Sequence, residues 1–80
     1  MTLKLFEDAI LMTDIPERGL CAGDVGTIVE RHDAPGREEG YSIEFFDMTG
    51  RTVGVVVVPA SKLRPPTPAD RPAVRVLSHA

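Results

Sequence analysis

Two glycines, three residues apart at the mouth of a β-branched run, constrain this chain more than any other feature. In Gly23-Asp24-Val25-Gly26-Thr27-Ile28-Val29-Glu30, the first glycine suits the positive φ of a tight turn. The second falls inside the run, where a glycine marks a bulge or the close approach of another backbone. The segment therefore reads as a turn feeding a distorted strand, and such strands belong to small, strongly bent sheets.

The rest of the chain is punctuated to match. Residues 8–13 are a short apolar run, too brief for a stable helix, and it ends at the loop Asp14-Ile15-Pro16-Glu17-Arg18-Gly19. Pro16 removes a donor there and Gly19 allows the reversal. Val25 to Arg31 makes the second strand. Residues 32–40 form a polar hairpin loop with one proline and two glycines. Tyr41-Ser42-Ile43-Glu44-Phe45 alternates, placing Tyr41, Ile43 and Phe45 on one face. Asp47-Met48-Thr49-Gly50 is a turn with glycine last, and Arg51 to Val58 is the fourth strand. Pro59 to Leu63 suits a single 3-10 turn, and Leu63-Arg64 a last short strand. Beyond it, Pro65, Pro66, Pro68 and Pro72 predict an extended, flexible tail over 65–80.

This order predicts an all-β domain over residues 1–64: a small SH3-like barrel of five short strands, with one 3-10 turn before the last. Curling the sheet on itself hides most of the edge that so short a chain has no other way to cover. The expected core is Ile10 or Leu11, Leu20, Val25, Ile28, Ile43, Phe45, Val55, Val57 and Leu63. A bulge at Gly26 would shift the register by one residue, leaving Ile28 and Val29 as alternatives. Gly19, Gly23, Gly26 and Gly50 are the turn and bulge positions.

Composition narrows the function classes. The 80 residues hold one cysteine, Cys21, which excludes an internal disulfide and a cysteine-based zinc site. No run approaches the ~18 apolar residues of a membrane span, and no signal peptide opens the chain, so a cytoplasmic protein is expected. Residues 1–63 carry 6 Lys and Arg against 11 Asp and Glu, a net of −5, and residues 64–80 carry three Arg and one Asp, a net of +2. An acidic body with a short basic tail is a poor match to nucleic-acid phosphate.

Several of these segments together resemble one family. They are Asp8 with Met12 four residues on, Gly19-Leu20, the stretch Gly23–Glu30, Tyr41-x-Ile43-Glu44-Phe45, Gly50-Arg51-Thr52, and Pro59-Ala60-x-x-Leu63-Arg64. This pattern, over about residues 5–64, is similar to a bacterial family catalogued as domain of unknown function 4926. The resemblance implies a small SH3-like barrel in the cytoplasm and brings no catalytic residues with it. The hairpin 32–40 is longer and more polar than the pattern requires. The opening stretch also resembles the KOW element of ribosomal and transcription-elongation proteins, but that element ordinarily sits among basic residues, and here Asp24, Glu30 and Asp33 surround it.

No catalytic set is expected. His32 beside Asp33 has no evident nucleophile, and His79 is next to last in the tail. His32, Asp33, Glu38 and Glu39 match no metal-ligand spacing, and neither a cofactor nor a small-molecule substrate is expected. The run Val53-Gly54-Val55-Val56-Val57-Val58 is the feature that asks for a function. A strand with one wet face should alternate, and this one carries valine on both faces. With Val55 and Val57 inward, Val56 and Val58 point out, and with Phe46 and Val53 they would form an exposed apolar patch. Alternatively, Val74-Arg75-Val76-Leu77 folds back over them as an added strand. The reading is a non-enzymatic protein-interaction module that binds a cognate protein or itself through the outer face of strand 51–58. Size and charge suit an antitoxin-like or accessory subunit. The alternative is a KOW-like nucleic-acid or ribosome-associated protein.

Overall fold

The computed structural model describes residues 3–77; residues 78–80, with His79 and the end of the tail, lie outside it. Five antiparallel strands form one sheet: β1 (Asp8–Leu11), β2 (Val25–His32), β3 (Gly40–Phe46), β4 (Thr52–Pro59) and β5 (Leu63–Arg64). Their spatial order is β4-β3-β2-β1-β5, so the domain is all-β, with the small barrel-like architecture its turn signals predict. A 3-10 turn at Ala60–Lys62 leads directly into β5. A second 3-10 turn, unforeseen from the sequence, occupies Pro16–Arg18 in the long first loop. Pro16 pre-sets its first φ, and Gly19, at φ 69°, closes it by donating its N–H to the Pro16 carbonyl.

Gly26 meets β3 at close quarters. It pairs with Ala9 on one side and Phe45 on the other, beneath the side chains of Ile43 and Phe45. The bulge of β2 lies three residues further on, between Ile28 and Glu30, rather than at Gly26. Gly26 itself stays in register, so Ile28 is fully buried and Val29 only half-buried. The bulge bends β2 so that it serves β1 with its first residues and β3 with all its length.

The core comprises Ala9, Leu11, Leu20, Ile28, Tyr41, Ile43, Phe45, Val58 and Leu63. Four of them, Leu11, Ile28, Ile43 and Val58, are the largest fully buried side chains, and each contributes roughly 1.5–3 kcal/mol by leaving water. Three expected core residues are exposed instead. Val25 pairs with Ile10, on the face opposite the Ala9–Gly26 pair, because neighbours along a strand alternate sides. Val55 and Val57 are exposed for the same reason on β4. Tyr41, Ile43 and Phe45 face the core, and they pair with Val58, Val56 and Gly54, whereas Ser42 and Glu44 pair with Val57 and Val55. Paired residues share a face, so Val56 and Val58 turn inward and Val55 and Val57 outward, the reverse of the parity expected from the sequence.

The tail adds no strand over residues 65–77. Two arginine–aspartate pairs hold it against the body. The Arg64 guanidinium donates to both Asp70 carboxylate oxygens, at 2.8 and 2.6 Å. Arg75 donates to Asp24 at 3.1 and 2.6 Å and to the Gly19 carbonyl at 2.9 Å.

Candidate interaction surface

The four residues singled out as an interaction patch do not share one surface. Val58 is buried in the core, and Val56 is half-buried and packed against it. Both were expected outside, and the register with β3 turns them in. Phe46 and Val53 are exposed, but a second irregularity separates them. Phe45 pairs with Gly54 and Phe46 with Thr52, leaving Val53 as the extra residue of a bulge. Val53 lines a small cleft with Arg18, Leu20, Phe45, Gly54 and Val56, on the core side of the sheet end. The apolar residues that the outer face of β4 does present are Val55, 48% exposed, and Val57, 62% exposed.

Phe46 belongs to this outer face, since its partner Thr52 donates its hydroxyl to Glu44, the outward residue beside Val55. The turn that follows is held by Asp47, whose Oδ1 accepts from the Thr49 N–H at 2.9 Å, the Thr49 hydroxyl at 2.7 Å and the Arg51 N–H at 3.0 Å. Gly50 completes it at φ 87°. Toward the other end, Ser42 lies buried between Glu30 and Val57, with its Oγ 2.7 Å from His32 Nε2. Glu30 approaches the same Nε2, at 3.7 Å. A serine, a histidine and a carboxylate are therefore adjacent, but both partners share one ring nitrogen and the serine is buried. In a catalytic triad the carboxylate holds the opposite nitrogen and the hydroxyl faces substrate.

β4 is also an edge. Among the described residues it pairs with β3 alone, and its outward amides can be assigned from the ladder. The Ala60 N–H donates to the Glu39 carbonyl, and hydrogen-bonded pairs alternate along an antiparallel ladder. Backbone groups of Val58, Val56 and Gly54 therefore meet β3, and those of Val55 and Val57 face away from the sheet. Arg18 confirms the direction, because its guanidinium donates to the Val55 carbonyl at 3.4 Å. Natural edge strands usually carry a charge, a proline or a bulge as protection. Here the guards are at the two ends, Pro59 and the bulge at Val53, and no charged residue stands between them.

The polar hairpin does not gather into a metal site. Arg31 pairs with Asp33 at 3.3 Å and Glu39 at 2.6 Å, while Glu38 accepts from the Ser61 N–H and hydroxyl. Among the described residues no group of three or more His, Cys, Asp and Glu could hold an ion. The Tyr41 hydroxyl donates to Glu39, which lowers the Glu39 pKa and raises that of Tyr41. With Leu3, Arg31, Ala60, Leu63 and Pro65 these two residues line an open cleft of about 450 Å³. No helix among the described residues is long and apolar enough to cross a membrane.

A family model described as Domain of unknown function (DUF4926) matches residues 5–65. The chain belongs to this family. The DUF4926 match takes in all five strands and both 3-10 turns and ends at Pro65, so the Asp70 and Arg75 anchors of the tail lie beyond it. Asp24, which receives Arg75, lies within it. Searches of curated proteins and of solved structures returned no match.

Proposed function

We propose that this DUF4926 domain is a non-enzymatic protein-interaction module that engages its partner through strand β4. The observation that carries the reading is the coincidence, on one strand, of outward valines and a backbone edge that no second strand covers among the described residues. Val55 and Val57 are exposed on the outer face, and their N–H and C=O groups point away from the sheet. Either feature alone is ordinary on a protein surface. Together they provide what strand addition uses: main-chain hydrogen bonds for affinity and alternate side chains for specificity. A β-prone, uncharged segment left bare would also promote aggregation, which favours a cognate surface covering it. An accessory subunit of a larger assembly is a role that this small, acidic domain suits.

The test compares wild type with Val57→Glu by sedimentation, alone and with extract of the source cells. Val57 is exposed, so the charge costs the fold little. The expected result is loss in the variant of an association that wild type shows. Identical sedimentation of the two proteins under both conditions would refute the reading.

A further inference from the structure

We propose that the partner of β4 is β4 of a second copy of this chain, paired antiparallel about a two-fold axis through Val56. The inference rests on the reading of β4 as the binding strand and deepens it by naming the occupant and the register.

The edge is self-complementary in its hydrogen bonds. Val55 and Val57 each turn one donor and one acceptor outward, and the intervening Val56 turns its own toward β3. With the axis at Val56, Val55 faces Val57 of the second copy and Val57 faces its Val55. Each is a hydrogen-bonded pair exchanging two N–H···O=C bonds, so four bonds form. Shifting the axis to Val57 would bring Val55 opposite Pro59, which has no N–H to give. Shifting it to Val55 would bring Val57 opposite Val53, where the bulge displaces the backbone. The axis at Val56 alone forms every bond from regular strand residues and leaves the proline and the bulge facing each other just outside the paired window.

The faces agree as well. Val55 and Val57 both lie on the outer face, and directly paired residues share a face. Four valines, two from each copy, thus meet on the outside of one continuous sheet of ten strands. Charge does not oppose this contact. The segment Thr52–Pro59 carries no ionisable side chain, so pairing it with itself brings no like charges together. A partner chosen by charge would find nothing on this strand to read. The isologous geometry is that of closed two-fold dimers, in which one patch serves both subunits. Arg18 covers one acceptor of this edge in the single chain, the Val55 carbonyl. Its bond is long, at 3.4 Å, and the side chain is exposed, so a strand can replace it.

Two measurements test this on the full chain. In the wild type, amide exchange of Val55 and Val57 is followed by NMR from low to high protein concentration. Pairing predicts that both amides slow by ~10-fold or more as the dimer fills, while Gly23 and Gly36 in the loops do not. Exchange that stays fast at every concentration, with a monomeric mass by light scattering, would overturn the proposal. If such a monomer still loses binding to another protein on Val57→Glu, β4 remains the interaction strand and only the self-pairing fails. The register is read by cysteine trapping in a Cys21→Ser background under oxidised glutathione. Val56→Cys is expected to form a disulfide-linked dimer, because a two-fold axis brings the two Cα atoms to about 4.5 Å. Val57→Cys is expected not to, being one residue off the axis, so that the two copies of position 57 stand two residues apart along the paired strands and beyond the ~7 Å disulfide limit. Linkage at position 57 in preference to 56 would refute the register. Val56→Cys is a near-isosteric change in a half-buried site, and the exchange experiment covers the case in which it misfolds.

Discussion

Replacing Gly26 by alanine tests the packing of the barrel at its tightest point. A Cβ there would stand 2.5 Å from Ile43 Cγ2, 2.8 Å from the Glu44 carbonyl oxygen and 3.1 Å from Phe45 Cδ1. Favourable contacts of this kind need ~3.5–4.0 Å between carbons, so something must move by about an ångström. Ile43 has no free space to move into, being fully buried, and an off-rotamer side chain costs about 1 kcal/mol. The Glu44 carbonyl belongs to the backbone that pairs with Thr27, so relief on that side strains the β2–β3 ladder. Overpacking of this sort costs roughly 1–3 kcal/mol, and weakening one ladder bond adds about 1 kcal/mol. Against this, alanine lowers the entropy of the unfolded chain and returns roughly 0.4–1 kcal/mol. The net expectation is a loss of about 2 kcal/mol. A chain of this size holds roughly 4–12 kcal/mol in all, at ~0.05–0.15 kcal/mol per residue, and the melting temperature should fall by about 8–16 °C. Urea unfolding followed by circular dichroism gives the free energy, with an unchanged m-value as the check on two-state behaviour. Gly54→Ala is the control, since its new Cβ meets only the tip of the exposed Arg18 side chain, Nη2 at 3.1 Å, which can swing away at the cost of its long bond to the Val55 carbonyl. If Gly26→Ala costs no more than Gly54→Ala, the close approach does not limit packing and the reasoning fails.

The parity of β4 predicts that Val58→Ala loses about 2 kcal/mol, whereas Val57→Ala stays within ~0.5 kcal/mol of wild type; equal losses in urea unfolding would refute the assigned faces. Asp24→Asn should release the end of the tail, read as faster tryptic cleavage after Arg75, and high salt should weaken the same tether in the wild type because the pair is partly exposed. The tether should also depend on acid. Burial pushes the Asp24 carboxyl up, but the Arg75 guanidinium and the Cys21 N–H outweigh it and hold the group below its usual value, and Arg64 holds Asp70 far below. Depressed carboxylates stabilise the folded form above their unfolded pKa of ~3.9 and lose that contribution as pH falls through the folded values. Tail amide exchange should thus stay constant from pH 7 to about 4, after allowance for intrinsic rates, and rise only below; release near pH 6 would contradict the assignment.

The turns were legible because their chemistry is local. Gly19, Gly23 and Gly50 all adopt positive φ, the conformation that glycine alone reaches without penalty, and each lies where the flanking residues already break a strand. Strand existence was legible for a related reason: five short apolar or alternating runs between such breaks leave little choice of element. The candidate surface was legible only in outline. Val53–Val58 stood out as too apolar for a half-wet strand, yet the residues named on its outer side were the wrong pair. Arg18, from a different loop, gave no sequence signal for its place on the edge, because a contact 37 residues away depends on how the barrel closes. The clamp of Asp24 by Arg75 is equally remote, at 51 residues, and charge counts alone show only that an acidic body and a basic tail coexist.

By itself, then, the amino-acid sequence determines the element order and the turn geometry, both consequences of residues within a few positions of one another. The tertiary structure decides which valines are inside. Four consecutive valines carry no periodicity of two, so nothing along the strand distinguishes one face from the other. That choice is made by hydrogen-bond register: Tyr41 opposite Val58 and Ile43 opposite Val56 draw the even-numbered valines into the core and leave Val55 and Val57 to the outside.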